Sequence, residues 1–214
     1  MNMIQYIAVA AIPILFAITV HEVAHGYVAS KFGDNTAKML GRLTLNPLKH
    51  IDLVGTVIVP LLLLFLGGFI FGWAKPVPVD PRNMTNPKKN MILVAAAGPL
   101  ANLLMALIWA AILKIALLLS GIDHWLAVPL EYMGKIGIQI NIILMVLNLF
   151  PIPPLDGGRV LMGFLSPKAA HKLGKIEPYG IFIVLFLIVF GVFHAVLMPI
   201  LNAFISLMSL IFSY

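Results

Sequence analysis

The sequence predicts an all-α polytopic membrane protein of about five to six transmembrane or re-entrant segments, on three observations. The 214 residues are 61% hydrophobic and only 10% charged, against about 25% charged in a soluble domain. The mean hydropathy is +1.04, so most of the apolar surface has to be covered by lipid. The apolar residues gather in five regions, roughly 3–30, 53–73, 91–119, 136–150 and 179–214, with the basic residues between them.

The first region, 3–30, has no basic stretch before it and no small-residue cleavage site, so it is expected to be retained as a span. The second, 53–73, lies between basic segments 31–52 and 74–90, each with four Lys or Arg. A third basic segment, 151–178, has four more, and only Lys114 and Lys135 remain, beside 120–135. The excess of Lys and Arg marks cytoplasmic loops. The three basic segments are therefore expected inside and 120–135 outside. Region 53–73 then has to dip into the membrane and return, turning at Gly67-Gly68, because both of its flanks are inside. The last region, 179–214, is long enough for two short spans, with breaks at Gly191 and Pro199. No internal repeat is evident. The chain has no cysteine, which excludes disulfides, thiolate metal sites and a cysteine nucleophile. The net charge of +6 is accounted for by topology, and no nucleic-acid partner is expected.

The stretch HEVAH, residues 21–25, places two histidines and a glutamate inside the first apolar region. Histidines at i and i+4 share a helix face, so His21 and His25 can reach one ion, and zinc suits nitrogen ligands at a hydrolytic centre. Glu22 sits about 100° further round the helix, placed to accept a proton from water and not to be a third ligand. This composition yields about 0.002 such matches by chance, and ionisable groups inside a span are costly and usually functional. By the helical rise, His25 lies about 9 Å from Lys31 along the axis, which puts the site near the cytoplasmic face.

A catalytic zinc needs a third protein ligand. Glu131 and Glu177 lie in polar segments over 100 residues away. Val28 and Lys31 stand where an extended soluble-type motif would need glycine and histidine. Asp34, Asp52 and Asp80 lie in basic loops and are expected to be solvated; Asp123 lies on the outer side, the wrong face for the site. Asp156 follows an apolar region in NLFPIPPLDGGR, where Pro151, Pro153 and Pro154 break the helix and Gly157 and Gly158 permit close approach. It can face the histidines, or it can cap a helix starting near Gly157. His50, His124 and His171 read as solvated loop residues.

HEVAH, AAAGPLAN at 95–102 and NLFPIPPLDGG at 148–158 together resemble the site-2 proteases, intramembrane zinc metalloproteases, in order, spacing and membrane context. The resemblance covers about residues 15–165, in the compact form without an inserted PDZ (peptide-binding) domain. No linker divides the chain, so one integral-membrane domain is expected over 1–214, with a catalytic core at about 3–165 and C-terminal membrane segments at about 179–214. The resemblance implies one Zn2+ held by His21, His25 and Asp156, with Glu22 as catalytic base. It also implies that Asn102, Asn148 and the proline-rich turn shape the substrate path. Relatives carry a membrane-associated β-element at the place of FGWAKPVPVD, 71–80, and GRLTL, 41–45, could pair with it. Trp73, Lys75 and Val77 would then offer an unwound substrate a free strand edge, with the Val77 N–H as the middle donor. The expected partners are the lipid bilayer and a membrane-protein or peptide substrate. The expected location is the cell membrane, a prokaryotic plasma membrane, with the active site near the cytoplasmic side. The competing reading is a metal or ion transporter built on the same His, Glu and Asp cluster. The missing repeats weigh against it.

Overall fold

A computed structural model describes residues 2–65 and 72–212. Its framework is four helices long and apolar enough to cross a membrane, and their ends reflect local chemistry. Helix α1 (Met3–Lys31) starts in a reciprocal cap, in which the Asn2 side chain takes the Gln5 N–H and the Gln5 side chain takes the Asn2 N–H. It ends at Phe32 and Gly33, where φ is +106°, a conformation that favours glycine. One turn, α2 (Thr36–Met39), comes next. A π-helical turn, Leu53–Ile58, capped by the Asp52 side chain, leads into α3 (Val59–Phe65). Helix α4 (Pro87–Leu119) has proline at its first position behind an Asn86 cap. Helix α5 (His124–Leu149) is capped by Asp123, which accepts from the N–H groups of Trp125 and Leu126. Two short helices, α6 (Asp156–Phe164) and α7 (Pro167–Gly174), lead to α8 (Gly180–Val189) and α9 (Val192–Phe212).

Helix α4 is central, packing against α1, α5, α6 and α9. The main core lies where α4, α5 and α9 meet, around Trp109, Leu113, Ile138, Ile142, Leu201 and Phe204. Small residues let the backbones close up. A Cβ on Gly137 would lie 2.2 Å from the Trp109 ring, and one on Gly134 2.8 Å from Leu113 Cβ. The outer faces remain apolar and exposed, as at Ile4, Ile7, Leu104, Ile108 and Leu207.

Several expectations are corrected. Residues 124–135 are not a loop. They are the first three turns of α5, where Lys135 and Glu131 form an ion pair one turn apart, a stabilising helical spacing. The break at Gly191 is present, with φ +76°, whereas Pro199 lies inside α9. Gly67-Gly68 falls outside the described residues. The two flanks of that stretch do meet: the Trp73 N–H donates to Gly55 O at 3.0 Å and the Lys75 N–H to His50 O at 2.9 Å.

No β-strand occurs among the described residues. Segment 72–80 is extended, but Pro76 and Pro78 have no N–H to give, and nearby groups take four of its remaining donors, those of Trp73, Lys75, Val77 and Asp80. GRLTL meets the segment through a side chain, Arg42 Nη2 donating to Lys75 O at 2.9 Å. Nor is Asp34 solvated. It is fully buried, accepting from the Asp80 N–H (2.7 Å), Asn83 Nδ2 (3.0 Å), and the Thr36 N–H and hydroxyl. It pins the end of α1 to segment 80–83. Burial works to raise its pKa, but these donors outweigh it and hold the carboxyl below the usual range. His50 is also buried, its Nε2 2.9 Å from Thr44 O.

Candidate metal centre

HEVAH occupies one turn of α1 packed against α4, and Asp156 is carried there by the first residue of α6. The break at 150–155 packs tightly against the start of α6. A Cβ on Gly157 would lie 2.2 Å from Leu149 O, and one on Gly158 2.3 Å from Pro153 N. The two glycines thus admit the returning backbone and let α6 begin beside α1. Asp156 is not a helix cap: Leu155 holds that position, with no side-chain capping bond.

His21 Nε2 and His25 Nε2 are 3.1 Å apart, and each lies 3.3 Å from Asp156 Oδ2. A tetrahedral ion bound at ~2.0–2.1 Å would separate its ligand atoms by ~3.3–3.4 Å. The far side of each ring fixes its proton. His25 Nδ1 lies 2.7 Å from Val94 O, which can only accept, so it carries hydrogen. His21 Nδ1 lies 2.6 Å from Asn102 Oδ1 and carries hydrogen likewise. Both Nε2 lone pairs therefore point at Asp156 Oδ2, a buried atom with no hydrogen-bond donor among the described residues. Three converging lone-pair atoms fit a divalent cation, and they are a group that could hold a metal ion.

AAAGPLAN is the wall behind these candidate ligands. Val94 and Asn102 receive the two Nδ1–H groups, and Gly98 lies between them. A Cβ there would sit 2.4 Å from His25 Nε2 and 2.5 Å from His21 Cε1. Glu22 reaches segment 72–80, where the Val77 N–H donates to its Oε2 at 2.7 Å.

The residues assigned to substrate fare unevenly. Val77 is not a free edge donor: its N–H is held by Glu22, and its side chain is buried against Gly26. Asn102 is fully buried, and its amide is spent on His21, Ala17 O and Asn141. Asn148 donates to Leu144 O within its own helix. Trp73 and Lys75 are exposed; Lys75 lines a cleft of about 490 Å³ with Leu40, Arg42, Pro76 and Pro78. Sequence reasoning missed Gly98, Asp34 and Asn141. A buried amide inside an apolar helix was the available signal for Asn141.

Two imidazoles and a carboxylate converging beside a helix-borne glutamate define a metallohydrolase type of centre in a membrane-type helical frame. A family model described as peptidase family M50 matches residues 9–124 and 123–192. The chain belongs to that family, the site-2 proteases, and is a metalloprotease. It is 41% identical over 194 residues to "Putative zinc metalloprotease YwhC" of Bacillus subtilis (strain 168), covering 90% of this chain and 85% of the relative. It is 33% identical over 175 residues to "Putative zinc metalloprotease Rip2" of Mycolicibacterium smegmatis, covering 82% of this chain and 64% of the relative. The match to the protein of that name in Mycobacterium tuberculosis H37Rv is 31% over 173 residues, covering 81% and 63%. The chain thus spans just under two-thirds of the length of the Rip2 proteins. No solved structure matches it.

Proposed function

We propose that this chain is an intramembrane zinc metalloprotease that hydrolyses peptide bonds within or near the transmembrane segments of its substrates. The observation that carries the reading is the triangle of His21 Nε2, His25 Nε2 and Asp156 Oδ2, with edges of 3.1–3.3 Å. Those three atoms would hold one zinc. Zinc held there would supply Lewis acidity, lowering the pKa of water and polarising a carbonyl. Val94 and Asn102 hold the rings so that both Nε2 lone pairs stay aimed inward. The Val77 N–H fixes Glu22 by its Oε2, and Glu22 takes the proton of the attacking water on Oε1. The same carboxyl then gives that proton to the leaving amine nitrogen.

Region 53–73 is read as a dip into the membrane from the cytoplasmic side, supported by the bond between Gly55 and Trp73. We place the substrate on the open side of segment 72–80, where Trp73 and Lys75 are exposed, in a multi-pass protein of the cell membrane. The test is reconstitution of the purified protein with a panel of single-span substrates. Cleavage should stop with a zinc chelator and return with zinc. Cleavage that the chelator leaves untouched would remove the metal from the mechanism.

A further inference from the structure

Asn141 on α5 is fully buried beside Asn102 of α4 and makes no hydrogen bond to any of the three candidate ligands. We propose that it is a positioning residue for the metal centre: through Asn102 it fixes the tautomer of His21 and keeps that ring aimed at the ion. The proposal rests on the reading of His21 as a zinc ligand.

The direction of every bond in the chain is forced by groups that can act in one sense only. Gly137 O is a carbonyl and can only accept, so the atom of Asn141 lying 2.8 Å from it is Nδ2. The other atom of that amide, Oδ1, then faces Asn102 at 2.9 Å and has to receive hydrogen. Asn102 therefore turns Nδ2 toward Asn141, and its second N–H reaches Ala17 O, another pure acceptor, at 3.1 Å. What remains of Asn102 is Oδ1, 2.6 Å from His21 Nδ1. Only a hydrogen on Nδ1 satisfies that contact, which leaves the Nε2 lone pair free to bind. Two backbone carbonyls, one on α5 and one on α1, thus set the protonation of a ring on α1 by way of two amides. Asn102 and Asn141 have both amide ends engaged and are both fully buried, so neither can turn over without stranding a polar group.

A leucine at 141 keeps the bulk and removes the polarity. Asn102 then keeps Ala17 O and His21 but loses one of the two groups that hold its amide in place, so the His21 tautomer is held less firmly. The experiment is a two-by-two cycle of Asn141→Leu and Asn102→Ala, reading zinc affinity by chelator competition. Thermal unfolding of the zinc-free proteins and the visible spectrum of the cobalt-loaded proteins are read alongside. Asn141→Leu alone should weaken zinc by about 3- to 10-fold, less than the ~10–100-fold of a ligand's direct partner. In the Asn102→Ala background it should cost nothing further, because the intermediary is gone. The cobalt spectrum should shift in Asn141→Leu. If Asn141→Leu does not fold, Asn141→Ala carries the same expectations. Equal losses in both backgrounds, or lower zinc-free stability with unchanged zinc affinity and spectrum, would make Asn141 a packing residue and overturn the proposal. A wild-type protein that binds no zinc would instead overturn the reading of the centre itself.

Discussion

Gly98→Ala perturbs the centre by one methyl group. The added Cβ would lie 2.4 Å from His25 Nε2, 2.5 Å from His21 Cε1 and 2.6 Å from His25 Cε1, well inside the ~3.5–4.0 Å of ordinary carbon contacts. Both rings have to move, and they are the ones whose Nε2 atoms face Asp156. Overpacking of this kind costs about 1–3 kcal/mol. At about 1.4 kcal/mol per decade, that is a roughly 5- to 140-fold loss of zinc affinity if the strain falls on the bound geometry. The zinc-free protein can let the rings swing aside, and alanine favours the helix over glycine by up to about 1 kcal/mol. The variant should therefore unfold at or above the wild-type temperature without zinc, while binding zinc roughly 5- to 140-fold more weakly and cleaving slowly. Chelator competition and thermal unfolding, each with and without metal, separate the two effects. Wild-type zinc affinity in Gly98→Ala would refute the claim that this glycine makes room for the ligands.

Val77→Pro removes the N–H that Glu22 accepts and leaves all three ligands in place; turnover should fall by about 10- to 100-fold, the scale of a hydrogen bond to a charged group, with zinc content unchanged. The buried Asp34 has a folded pKa below its unfolded value of about 3.9. Between the two values the unfolded chain binds more protons, so its contribution to stability is full above that pH and is lost as pH falls through the folded pKa. Unfolding temperatures of wild type and Asp34→Asn should therefore converge as pH drops below about 4, and a gap that stays constant under more acidic conditions would contradict the pinning role. Cysteines introduced at Lys38 and Lys88 should both resist an impermeant maleimide in intact cells. Labelling at 88 but not at 38 would make 53–73 a true span.

The site was legible where chemistry needs fixed spacing. HEVAH places two histidines and a glutamate by helical periodicity alone, and the proline-glycine break around Asp156 announced the carboxylate that converges on the two histidines. Of the five to six segments expected from hydropathy, four are helices long and apolar enough to cross a membrane among the described residues, because lipid sorts residues by transfer energy alone. Backbone hydrogen bonding was not legible. The Val77 N–H read as free because no local pattern reveals that a helix 55 residues earlier supplies its acceptor. Asp34 read as solvated because two of its four donors, from Asp80 and Asn83, lie in a segment that meets it only in the folded chain. The polarity of 120–135 suggested a loop, yet Asp123 is a helix cap and Glu131 with Lys135 a helical pair. Asn141 escaped because one amide in an apolar run has many uses, and its role depends on a carbonyl and an amide from other turns.

The most direct test of the account is Glu22→Gln, with zinc content and cleavage of one reconstituted single-span substrate measured on the same preparation. Glutamine keeps the shape of the side chain and can still accept from Val77, but it cannot take the proton of water. The account predicts one zinc per chain in both proteins and cleavage slowed in Glu22→Gln by at least the ~10²–10⁴-fold of general acid–base catalysis. Cleavage by Glu22→Gln within about tenfold of wild type, at equal zinc content, would contradict it.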